Sequence, residues 1–146
     1  MITEDYVSFE TAKLLKEKGF DDEYTNAFYD KNGNLYFIDI LSDFSEHPDN
    51  DTDITASTLY VAMKWLREVY KLYISLFSFD YQFDTYGWMF LIKPLKYVEG
   101  VGWCWDSDHV QEKKWSNDMK YNTYEEAVEA AIKYCLENLI YIENKI

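Results

Sequence analysis

Apolar and polar positions change period along the chain, and that change predicts the elements. In "VSFETAKLLKEKGF", Phe9, Ala12 and Leu15, with Leu14 beside them, recur at helical spacing; Ser8 stands as N-cap, Glu10 in the first turn and Gly19 as the stop. A switch to alternation follows in "YTNAFYDKNGNLYFIDI", where Asn32-Gly33 offers two positive-φ residues for a tight hairpin between Tyr24–Asp30 and Leu35–Ile40. "LSDFSEHPDNDTD" is polar, acidic and broken by Pro48, an exposed loop. Helical spacing returns in "STLYVAMKWLREVYKLY" through Leu59, Ala62, Leu66, Val69 and Tyr73, capped by Ser57 or Thr58. Two aromatic runs, "YISLFSFDYQ" and "TYGWMFLIK", predict a second hairpin turning near Asp84 and limited by Pro94, and "VGWCW" adds a further strand. The last element is "NTYEEAVEAAIKYCLENLI", a helix capped by Asn122 or Thr123, with Tyr124, Val128, Ala131, Cys135 and Leu139 as its buried stripe.

The order αββαββ(β)α predicts an α+β fold: one antiparallel sheet of four to five strands in two hairpins, with three helices packed mainly on one face. At 146 residues the chain fits a single domain, 1–146. The second hairpin poses the main question, because both of its faces are apolar. Tyr73, Phe77, Phe79 and Tyr81 point one way, and Ile74 and Leu76 the other. Either helices cover both sides, or an aromatic face stays open for a ligand, a partner or a second copy of the chain.

Composition sharpens that question. Aromatic residues make up 19% of the chain, so many rings must be buried or must stack on something. The net charge of −13 is uneven: residues 1–60 hold 14 acidic and 4 basic residues, while residues 61–120 hold 8 of each. General nucleic-acid binding is disfavoured by that balance. An acidic surface suits a basic protein partner, and Asp43, Glu46, Asp49, Asp51 and Asp53, with the aromatic face of Tyr73, Phe77 and Phe79, are the candidate contacts. No apolar run is long enough to span a bilayer, and Glu4 and Asp5 stand where a secretory signal would be basic; a cytoplasmic protein is expected.

Chemistry-bearing residues are few. "CWDSDH" gathers Cys104, Asp106, Asp108 and His109, but a zinc site wants a second Cys/His cluster, and the other histidine, His47, stands beside Pro48. Gly100 and Gly102 open a G-x-G-x-x-G whose third position is Trp105, and "DNDTD" lacks the glycine and glutamate of a calcium loop. Neither a metal, a cofactor nor a catalytic constellation is expected, and the protein reads as a non-enzyme. Trp103, Trp105 and Trp115 near Lys93, Lys113 and Lys114 have two readings. The rings pack under a helix while the lysines are solvated, or together they hold the base and phosphate of a small nucleotide.

"YVSFETAKLLKEKGF", "AMKWLREVY" and "TYEEAVEAAIKYCLENLI" resemble a family of small uncharacterised proteins of gut bacteria, their phages and mobile elements. The likeness covers the helices, about a third of the chain, and brings no assigned activity or site residue. It implies a setting, an accessory protein that works in the bacterial host cell by binding a host or defence protein, or by sequestering a signalling nucleotide. A homodimer joined through the aromatic sheet face is the third reading.

Overall fold

The structure, a computed structural model, describes residues 5–23, 25–38, 52–81, 85–106, 114–115 and 121–140. Helix α1 (Phe9–Glu17) begins on Ser8, whose hydroxyl accepts from the Thr11 N–H, and ends in a glycine cap. There the Phe20 N–H reaches Leu15 O and the Gly19 N–H reaches Lys16 O, with Gly19 at φ +94°. Strands β1 (Ala27–Tyr29) and β2 (Leu35–Phe37) form the first hairpin, and β3 (Ile54–Thr55) pairs on the other side of β1. Helix α2 (Leu59–Tyr70) is capped by Thr58. Helix α3 (Tyr124–Tyr134) is capped by Thr123 and widens into a π turn over Cys135–Leu139, closed by Ile140 N–H on Cys135 O.

The second sheet is built on β4 (Leu72–Tyr81) and the long β5 (Thr85–Val98), in antiparallel register from Leu72↔Pro94 to Tyr81↔Thr85. The other edge of β5 takes β6 (Gly102–Trp105), with Leu95↔Trp105 and Tyr97↔Trp103, then β7 (Lys114–Trp115) and a bridge from Tyr121 to Trp88. The α+β class is thus as expected. The two hairpins, however, pair into separate sheets rather than one.

One apolar core joins the elements. Leu72, Ile74, Phe90 and Ile92 of the second sheet meet Leu66 of α2 and Val128, Ala131, Ile132, Cys135 and Leu136 of the last helix, and the cluster continues to Val7, Leu15 and Tyr29. Helices α2 and α3 therefore lie on the even-numbered face of β4. Burying side chains of this size stabilises the fold by about 1.5–3 kcal/mol each.

Several local expectations change. Asn32 does not adopt positive φ; Asp30 N–H reaches Asn34 O, and the Asp30 carboxylate accepts from the N–H groups of Asn32 and Asn34. The turn is thus built by a carboxylate over three residues, with Gly33 alone at φ +84°. These donors hold the Asp30 carboxyl below its ordinary value, the Asn34 N–H contributing most. Pro94 does not limit β5. Its carbonyl accepts from Asp106 N–H, and its missing N–H falls at the break between β6 and β7. In α2 the apolar spacing outruns the helix: Val69 is exposed and Tyr73 lies in β4. In α3 Tyr124, at the first position, is exposed with its ring edge-on to Trp88, and Leu139 is only partly buried.

Candidate functional site

Side-chain exposure answers the question about the second hairpin at its Tyr73 end, whereas Leu91, on the same face, is buried. Leu72, Ile74 and Leu76 of β4 pack toward the helices. The odd-numbered face carries Tyr73 and Phe77 at 40% and 36% exposure, and across the sheet Tyr97 at 62%, Trp103 at 55% and Trp105 at 40%. The reading that packs Trp103 and Trp105 under a helix is therefore corrected. Antiparallel register puts both rings on the face of Tyr73, away from the helical layer.

Where this face meets the end of α2 there is a groove of about 500 Å³, lined by Arg67, Glu68, Lys71, Tyr73, Lys93, Leu95, Trp103, Cys104 and Trp105. Helix α2 supplies Arg67 and Glu68, and Lys71 caps its end. Tyr73 stands opposite Lys93 on the neighbouring strand, and Leu95 stands opposite Trp105. Trp103 and Trp105, two residues apart on one strand, are separated by roughly 6.6 Å along it.

Among the described residues of its lining the groove is cationic in an acidic protein: Arg67, Lys71 and Lys93 are set against Glu68. Lys71 Nζ sits 4.7 Å from the centre of the Trp103 ring and donates to Glu68 O at 2.6 Å. Lys93 Nζ lies 5.7 Å from the Tyr73 ring. Among the described residues no ion pair engages Arg67 or Lys93. Lys71 is also the one non-glycine residue among those described with positive φ, at φ 58° and ψ 36°. A lysine there is strained by roughly 1–2 kcal/mol relative to a right-handed conformation.

Of the residues singled out for a nucleotide, Trp103, Trp105 and Lys93 come together here. Trp115 and Lys114 lie on β7, in register with Leu91 and Ile92, and Lys113 lies outside the described residues. Arg67, Lys71 and Tyr73 join the site without having been assigned to it. Of the partner-binding set, Asp43, Glu46, Asp49 and Asp51 lie outside the described residues. Asp53, which accepts from the Tyr36 hydroxyl, borders the first sheet, whereas Tyr73 and Phe77 belong to the second; Phe79 pairs with Gly87 in β4 by register.

The cysteine–aspartate cluster does not assemble as one site. Cys104 Sγ contacts Gly102 O at 3.6 Å, and buried Asp106 lies 3.8 Å from Lys96 Nζ. Asp108, His109 and His47 lie outside the described residues, among which no three His, Cys, Asp or Glu side chains converge. No described helix is long and apolar enough to cross a membrane. Compared with protein-family models, with curated proteins and with solved structures, the chain matches none.

Proposed function

We propose that the protein is a non-enzymatic binding module, and that the groove at the end of α2 captures a small aromatic anion of the nucleotide class. The observation that carries this reading is the convergence of Trp103, Trp105 and Tyr73 with Arg67, Lys71 and Lys93 on one open face. Rings offer a base its stacking surface, worth about 1–3 kcal/mol per base, and the cations balance its phosphate. The strained Lys71 supports the same reading, since strain of this kind persists where a side chain must be held in place. The resemblance of the helices supplies the setting: a phage or mobile-element accessory protein that sequesters a nucleotide in the host cytoplasm.

Tryptophan fluorescence titrated with a nucleoside monophosphate tests this directly. Quenching is expected with the monophosphate, much weaker quenching with the nucleoside or with inorganic phosphate alone, and loss of the response in Trp103→Ala. No change with any common nucleotide at millimolar concentration removes the proposal.

A second reading rests on the β5–β6 hairpin tip, where Tyr97, Val101 at 73% exposure and Trp103 project together. Here the protein holds a basic host protein, with the acidic N-terminal half supplying charge complementarity. Capture of such a protein from host lysate should weaken as salt rises; salt-independent capture counts against it. If the aromatic face instead joins two copies of the chain, light scattering will report a dimer.

A further inference from the structure

The rings of the groove are spread along the sheet rather than gathered at one point. Along the β4–β5–β6 register, three successive rows of the open face read Tyr73–Lys93, Leu95–Trp105 and Tyr97–Trp103, each roughly 6.6 Å beyond the last. Each row carries at least one ring that is 40% exposed or more, and the rings cross the sheet diagonally from β4 to β6. The cations follow the same diagonal: Lys93 at the Tyr73 ring, Lys71 at the Trp103 ring, and Arg67 on the helix wall beside them. A mononucleotide has one base and would use one such row.

We propose that this face binds a short single-stranded oligonucleotide of about three nucleotides, its bases on Tyr73, Trp105 and Trp103 and its phosphates toward Lys93, Lys71 and Arg67. The inference rests on the groove reading and extends it from one base to three. Stacking tolerates any base because each has a π face, so the platform is indifferent to sequence. Duplexes are poor ligands, because their bases are not free to stack on it. Length is limited as well. Beyond three nucleotides a strand leaves the three cations and meets the surface of a chain whose net charge is −13.

Calorimetric titration with oligothymidylates of one to eight nucleotides at fixed low salt tests the proposal. The affinity is expected to rise at least tenfold from the monophosphate to the trinucleotide and by less than about threefold thereafter. With three phosphates neutralised, log K should fall with log salt at a slope of about −2. Trp103→Ala, Trp105→Ala and Tyr73→Ala should each weaken the trinucleotide about tenfold, the loss of roughly one stacked base. Tyr60→Ala, which removes a 65%-exposed ring on α2 outside the groove, should leave binding unchanged. If the monophosphate binds as tightly as the trinucleotide, the platform is wrong and the groove reading stands. Affinity that keeps climbing to eight nucleotides also overturns it, and absence of binding by every member of the series removes both.

Discussion

Lys71 allows backbone strain to be separated from ligand capture. It caps α2 in the left-handed region, its N–H on Leu66 O, at a position that helices ordinarily give to glycine. Two substitutions remove the same ammonium and differ in the backbone alone. Lys71→Ala keeps the positive φ and loses the contacts to the Trp103 ring and Glu68 O, costing about 1 kcal/mol for an exposed pair of this kind. Lys71→Gly loses the same contacts but relieves about 1–2 kcal/mol of left-handed strain, less about 0.4–1 kcal/mol for the extra freedom glycine gives the unfolded chain. The glycine variant should therefore be the more stable of the two by about 0.5–1 kcal/mol and lie close to the native protein. Equilibrium urea unfolding reads this as a midpoint difference of about 0.4 M at a slope of about 2 kcal/mol/M. Nucleotide affinity should fall by a similar factor in both variants. Equal or greater stability of Lys71→Ala would refute the strain argument, and a Lys71→Gly protein that binds like the native one would refute the link to the groove.

Three other expectations follow from burial and ionisation. Burial pushes the Cys135 thiol up to about 12, so a thiol reagent at pH 8 should titrate one cysteine per native chain, half-buried Cys104, and two in denaturant; two fast thiols in the native protein would contradict the placement of Cys135. Leu66→Ala, at a fully buried position of α2, should cost about 2–5 kcal/mol in urea unfolding, because alanine is a good helix former and the loss is one of packing. Tyr29 is buried, its hydroxyl donates to Val7 O at 2.6 Å, and desolvation first, with the charge of Glu129 second, holds its phenol above the ordinary 10. A raised folded value favours the protonated form, so this contribution to stability is complete below pH 10 and is lost as pH rises through the folded value; Tyr29→Phe should flatten that alkaline limb.

Much of the fold was legible because capping chemistry is local. Ser8, Thr58 and Thr123 each accept a backbone N–H three residues on, and Gly19 ends α1 as its spacing requires. The errors share a cause in side chains whose conformation is set by distant partners. Tyr73 kept helical spacing with Leu66 and Val69, and nothing in the letter Lys announces that residue 71 turns left-handed and ends α2. Pro94 reads as a strand terminator unless the break between β6 and β7 is known. The site was half legible. Trp103, Trp105 and Lys93 lie close in sequence, but Tyr73 reaches Lys93 only through pairing of β4 with β5, and Arg67 and Lys71 only through the docking of α2 on that sheet. The signal that was present is the odd-numbered alternation of Tyr73 and Phe77 in β4, which marks an aromatic face but not which face the helices choose.

On the proposed reading, that choice also explains how a protein of net charge −13 holds an anion. At physiological ionic strength charges more than about 8 Å apart are largely screened, so a small ligand in the groove responds to Arg67, Lys71, Lys93 and Glu68 rather than to the chain as a whole. A long polyanion samples the wider surface, including the acidic N-terminal half, and is repelled where it leaves the groove. If the groove reading holds, the acidity acts as a selectivity device, disfavouring duplex and long single strands while leaving short ligands unpenalised. The same reading gives a reason for lysine at position 71, which stands there against the preference of its backbone.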